Sequence, residues 1–107
     1  MREDPSHDPF WLEDLARPGC ARMGLRESFL ETLAEECVGL ELAPVGSRLV
    51  RGDAFGFLHT GSRTHDLRAP FDLEILALNP AALADPGIVR LSPYGRGWLA
   101  EVRIGKL

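Results

Sequence analysis

Lysine is almost missing from this sequence. Of its 12 lysine and arginine side chains all but one are arginine, and the exception, Lys106, is next to last in a chain of 107 residues. A formal net charge of -4 and the lack of a basic stripe exclude a broad electrostatic attraction to nucleic acid or to an anionic membrane. No apolar run approaches the length of a membrane span, and no signal-peptide pattern is visible, so a reduced cytoplasm is the expected compartment. Cysteine is scarce too. Cys20 and Cys37 form no CxxC pair, and we read them as two small, half-buried thiols rather than a disulfide or redox pair.

What is present has the balance of an ordinary globular domain, with 45% hydrophobic and 26% charged residues. A chain of this length buries about 60 to 70% of its unfolded surface as one domain without disulfide support. Residues 1–9, "MREDPSHDP", are charged and broken by proline, and are expected to form a mobile N-terminal tail. The packed domain is expected over 10–107.

In "LRESFLETLAE", Leu25 to Glu35, the residues Leu25, Phe29, Leu30, Leu33 and Ala34 fall on one helical face, opposite Glu27 and Glu31. The spacing predicts one amphipathic helix, with Arg26 as a poor cap. The acidic run Glu27, Glu31, Glu35 and Glu36 then reads as its solvated face, because paired catalytic carboxylates need a pocket to shift their pKa values.

Alternation predicts strands elsewhere. "CVGLEL" sets Val38, Leu40 and Leu42 against Cys37, Gly39 and Glu41. Turns at Pro44/Gly46 and Gly52-Asp53 lead to a strand in which Phe55 and Phe57 share a face. A nearly all-apolar Leu73 to Leu78 is stopped by Asn79-Pro80. Ala81 to Ala84 makes one helical turn, ended by Pro86-Gly87, and a final strand places Trp98, Ala100, Val102 and Ile104 on one face. The fold class is therefore mainly β, a small sandwich or barrel with one amphipathic helix and short helical turns.

The segments "MGLRESFLETLAEECVGLELAPVGSRLVRGDAFG", "RAPFDLEILALNPAALADPGIV" and "SPYGRGWLAEVRI" together resemble the glycine cleavage system H-protein family of the lipoyl-domain superfamily. The most specific piece is Ser92-Pro93-Tyr94-Gly95-Arg96-Gly97-Trp98-Leu99, in which Arg96 stands where the family carries an acidic residue. Pro44-Val45-Gly46 followed by Gly52-Asp53 is a second match.

The resemblance implies a flattened β-barrel or sandwich of the lipoyl-domain (barrel-sandwich hybrid) type. In the family a tight hairpin presents a lysine amide-linked to lipoate, and this arm visits glycine decarboxylase, the tetrahydrofolate-dependent component and dihydrolipoyl dehydrogenase. Aligned on Asp66, Leu67, Ala69 and Pro70, the hairpin has Ser62 at the expected lipoyl-lysine position. Covalent lipoate is not expected, since attachment requires an alkyl amine and the Arg63 guanidinium stays protonated.

Two further departures are Leu73, at a place where the family has glycine, and the lack of a counterpart to the family's C-terminal helix before Leu107. By resemblance Trp98 is a core residue of the last strand rather than one half of a ligand-stacking pair with Tyr94.

The stretch Thr60-Gly61-Ser62-Arg63 predicts a type II′ hairpin turn, with glycine supplying the positive φ. Around it His59, Arg63, His65 and Arg68 surround only Asp66. They are the candidate partner-binding residues of a local basic tip. The expected function is a non-catalytic binding, regulatory or scaffolding module, directed at proteins that handle lipoylated carriers, with no catalytic residue, metal or cofactor of its own. The alternative is a small-molecule or metal site on the hairpin built by His59, Ser62, His65 and Asp66. A Ser62 nucleophile served by either histidine lacks an oxyanion-hole motif.

Overall fold

The structure, a computed structural model, describes residues 9–105; nearly all of the expected N-terminal tail, and Lys106 with Leu107, lie outside the described residues. The chain forms β1 (Phe10–Asp14), β2 (Cys20–Leu25), α1 (Glu27–Leu30), β3 (Cys37–Leu42), β4 (Arg48–Leu49), β5 (Ala54–Thr60), β6 (Thr64–Arg68), β7 (Leu73–Leu78), α2 (Pro80–Ala84), α3 (Gly87–Leu91) and β8 (Ala100–Ile104).

One sheet has the order β1-β2-β8-β7-β4 and the other β3-β5-β6, and every pairing is antiparallel. Met23, Leu25, Leu73, Ile75, Ala100 and Val102 from the first sheet meet Leu40, Phe55, Leu58 and Leu67 from the second in one apolar core. Phe10 and Phe55 bridge the layers edge to face, with ring centroids 5.1 Å apart. The sheets face each other without closing, so the fold is a sandwich rather than a barrel. Among the described residues no helix is long and apolar enough to cross a membrane.

Outside the core, side chains cross the first sheet as charge pairs. Arg22 reaches Glu101 at 2.7 Å and Arg103 reaches Glu74 at 2.6 Å, each between directly opposed residues on adjacent strands.

The long helix expected from Leu25 to Glu35 is a single turn, Glu27–Leu30. Leu25 belongs instead to β2, where its side chain enters the core. Leu30 and Leu33 are buried as their spacing requires, but the backbone between them leaves the helix. Arg90 of α3 supplies the reason. Its guanidinium donates to the carbonyls of Leu30 at 3.2 Å, Leu33 at 2.8 Å and Glu35 at 2.7 Å, so these acceptors need no further helical turn to satisfy them. Arg26 makes no side-chain cap, as expected.

Two register shifts account for the misread strand faces. Between Cys37 and Gly39 an irregularity leaves Val38 exposed and turns Cys37 inward, reversing the expected pattern at those positions. Between Ala54 and Gly56 a second one lets Phe55 and Leu58 both enter the core while Phe57 lies on the other side. Gly56 permits that bend, because a Cβ there would sit 2.2 Å from the Glu41 carbonyl oxygen.

The end of the chain differs in detail. Asn79 opens α2 by accepting the Ala81 N–H at 3.1 Å, and its amide donates to the carbonyls of Arg96 and Trp98. Pro86-Gly87, expected only to end that turn, instead starts α3. Ala100 and Val102 are buried as expected, but Leu99 takes the interior place assigned to Trp98. The Trp98 ring is half-buried beneath the Arg22 guanidinium, 4.4 Å from its centroid. Leu73 is fully buried at the start of β7.

Candidate functional site

β5 and β6 form a hairpin closed at Thr60, whose N–H donates to the Arg63 carbonyl at 2.8 Å, leaving Gly61 and Ser62 as the two turn residues. The turn is not type II′. Among the described residues a positive φ occurs only at Gly19, Gly46, Gly52 and Gly105. Gly61 is small for a different reason: a Cβ there would lie 3.0 Å from a carboxylate oxygen of Glu35.

That carboxylate organises the tip. Glu35 Oε1 accepts the Ser62 N–H at 2.9 Å and the Ser62 Oγ–H at 2.8 Å. The Ser62 backbone and side-chain bonds, with smaller help from Thr60 and the positive charge of Arg63, hold the Glu35 carboxyl below the usual carboxylate range. Arg90 in turn fixes the Glu35 backbone through its carbonyl. A line of contacts therefore runs from α3, through the loop after α1, to the hairpin tip.

Sequence reading missed Glu35 by assigning it to a solvated helix face. Its partner is 27 residues away, so no local pattern marks the pair. Gly61 beside a serine was the available signal, and it pointed to close approach rather than to turn geometry.

The four candidate partner-binding residues do not form one basic surface. In the β5–β6 register His59 opposes Thr64 and Leu58 opposes His65. Alternation therefore puts His65 on the core side with Leu58 and His59 on the opposite face. His59 is engaged there, with Nε2 2.7 Å from Glu41 Oε2 and Nδ1 3.0 Å from Thr64 Oγ1. His65 approaches Thr60 Oγ1 at 3.4 Å and meets the Phe29 ring edge on. Arg68 donates to the Gly52 carbonyl at 3.0 Å and to Asp66 at 3.4 Å. Among the described residues Arg63 alone of the four makes no side-chain hydrogen bond or ion-pair contact, acting on Glu35 through its charge.

The same geometry separates the proposed metal ligands. Asp66, opposite Phe57, shares the outer face with His59, whereas His65 lies behind the sheet. Among the described residues no group of three or more His, Cys, Asp and Glu side chains is arranged to hold a metal ion.

On the inner side of the tip, a groove of about 440 Å³ is lined by residues of the loop after α1, among them Leu33, Ala34 and Glu35, and of the hairpin, among them Thr60, Arg63 and His65. Cys20 and Cys37 are both free, and buried rather than half-buried. Burial pushes the Cys37 thiol up, against the opposing effect of Arg90. Tyr94 does not pair with Trp98. Its hydroxyl accepts the Glu27 N–H at 2.9 Å, and its ring lies 5.9 Å from that of Trp11.

Known proteins resemble this chain in sequence, and a solved structure resembles it in architecture. A glycine cleavage system H protein of Corynebacterium jeikeium is 36% identical over 83 residues, which are 78% of this chain and 65% of that protein. One of Kocuria rhizophila is 31% identical over 94 residues, 88% of this chain and 73% of its own length. The match to the first relative thus spans just under two thirds of it. The crystal structure of a glycine cleavage system H protein from Mycobacterium marinum superimposes with a TM-score of 0.80 at 29% identity, covering 94% of this chain and 84% of that one. The sequence profile described as "Glycine cleavage H-protein" matches residues 4–107, and the chain belongs to that family.

Proposed function

We propose that this chain is an H-protein-family member that carries no lipoate and acts as a non-catalytic cytoplasmic recognition module toward proteins that handle lipoylated carriers. The observation carrying the reading is Ser62, at the turn of the β5–β6 hairpin, with both its N–H and its hydroxyl donated to Glu35. Lipoate requires an amine at this tip, and these residues do not fit it. The turn offers a hydroxyl already bound to a carboxylate, the neighbouring cation is a guanidinium, and the single lysine is Lys106. Ester formation at Ser62 would need a base to activate the hydroxyl; among the described residues no histidine hydrogen-bonds to it, and the Glu35 carboxylate that does is made less basic by its lowered pKa.

A sandwich without an arm retains a shape that partner proteins recognise but has no group with which to carry a carbon unit. Arg63 is the tip residue whose guanidinium makes no hydrogen bond or ion-pair contact to a described residue, and therefore the contact on which docking to an acidic partner surface depends most. Arg68 is tied to Gly52 and Asp66, and contributes less. The purified chain, immobilised and exposed to purified dihydrolipoyl dehydrogenase or glycine decarboxylase from the same cell, is expected to bind with an affinity that falls with salt. R63E is expected to weaken that binding more than R68E. Equal binding by wild type and R63E at low salt would remove the hairpin tip from the proposal, and no binding to either partner would remove the recognition role.

A further inference from the structure

We infer that the groove between the loop after α1 and the hairpin tip is a binding site for a small zwitterion, an α-amino acid with an aliphatic side chain. Its volume of about 440 Å³ lies within the range of small-molecule sites. Its chemistry has three parts. Glu35 is a carboxylate held in its charged form, and the two bonds from Ser62 fall on one of its oxygens, leaving acceptor capacity for an ammonium group. Arg63 lines the same groove with a guanidinium that makes no hydrogen bond or ion-pair contact to a described residue, a ready partner for a carboxylate. Leu33 and Ala34 add apolar lining for an aliphatic side chain.

A simple anion would meet Glu35 and a simple cation would meet Arg63, each at an electrostatic cost. A molecule bearing both charges satisfies both, which is why the pair selects a zwitterion over either half. The site is also held in shape before any ligand arrives. Arg90 fixes the carbonyls of Leu33 and Glu35, and the Ser62 bonds fix the Glu35 side chain. The site shares Arg63 with the proposed docking tip but needs neither a partner protein nor lipoate, so a ligand titration of the protein alone reads it separately.

The test is a chemical-shift titration of the full-length, isotope-labelled protein at neutral pH with leucine, leucinamide and 4-methylpentanoate. Leucine is expected to cause saturable shifts confined to residues 32–35 and 60–65. Leucinamide, which lacks the carboxylate, and 4-methylpentanoate, which lacks the amine, are each expected to bind about five-fold or more weakly. E35Q and R63Q are expected to weaken leucine by a similar factor. Because E35Q also loosens the Ser62 contact, R63Q is the cleaner variant, the Arg63 side chain making no hydrogen bond or ion-pair contact to a described residue. No saturable shift with leucine, equal affinity for all three compounds, or undiminished leucine binding by R63Q would overturn the inference.

Discussion

A single oxygen of Glu35 accepts both the N–H and the Oγ–H of Ser62, at 2.9 and 2.8 Å, and so ties the loop after α1 to the tip of the β5–β6 hairpin. The two bonds fix the backbone and the side chain of Ser62 at the turn of the hairpin.

The clasp is sensitive to acid. Ser62 bonding, chiefly through its N–H, lowers the Glu35 pKa from the ordinary 4.5, so the folded state favours the charged carboxylate more than the unfolded chain does. Its stabilisation is complete above the unfolded carboxylate value and is lost as pH falls through the lowered folded one. The protection factor of the Ser62 amide, its exchange rate taken relative to an unstructured chain at the same pH, is expected to fall over an acid titration in that window below 4.5. In E35Q the protection is expected to be weak throughout, with no acid step. An acid step of the same size in E35Q would assign it to another group.

Arg90 carries more of the fold than an arginine on a short helix ordinarily does. Replacing it with methionine removes three donated hydrogen bonds and leaves the Leu30, Leu33 and Glu35 carbonyls without that partner. The expected loss is about 2–3 kcal/mol, read from denaturant midpoints. Lysine at this position keeps the charge but not the planar fork, and is expected to restore only part of the loss. A methionine variant as stable as wild type would show that water satisfies these carbonyls equally well.

Gly56 and Gly61 separate two uses of a missing side chain. G56A brings a methyl group against the Glu41 backbone, which has little freedom to yield, and is expected to cost about 1–3 kcal/mol in thermal or chemical unfolding. G61A meets only the end of the Glu35 side chain, so stability is expected to change little while Ser62 amide protection falls. The reverse ranking would contradict the assigned contacts.

Restoring an amine at the hairpin tests the reading of Ser62. S62K, expressed with lipoate and its attaching enzymes, is expected to acquire the lipoyl group. Glu35 lies where it would pair with the new ammonium, so S62K/E35Q is expected to be modified more completely than S62K alone. If neither variant gains mass, the hairpin differs from that of lipoylated relatives by more than one side chain.

The sandwich, its hairpin and the place of Ser62 at the turn were all legible in the sequence, because alternating apolar residues and turn-forming glycines are local signals. The bulges that expose Val38 and turn Phe57 away from Phe55 were not, since each depends on how a neighbouring strand is paired. The helix was overread for a related reason. Its apolar spacing reported burial at Leu30 and Leu33 correctly, but Arg90, far along the chain, replaced the helical hydrogen bonds. The four basic residues of the hairpin are spread for a similar reason: strand alternation sends His59 and His65 to opposite faces, and Arg68 donates to the Gly52 carbonyl.

Intact-mass spectrometry of the wild-type protein, co-expressed with lipoate and a lipoate-attaching enzyme that modifies a lipoylated H protein in parallel, tests most directly whether this family member carries the cofactor. The account predicts that the parallel protein gains the lipoyl mass while this chain keeps its unmodified mass. A lipoyl adduct on this chain, at Ser62, Lys106 or elsewhere, would contradict it.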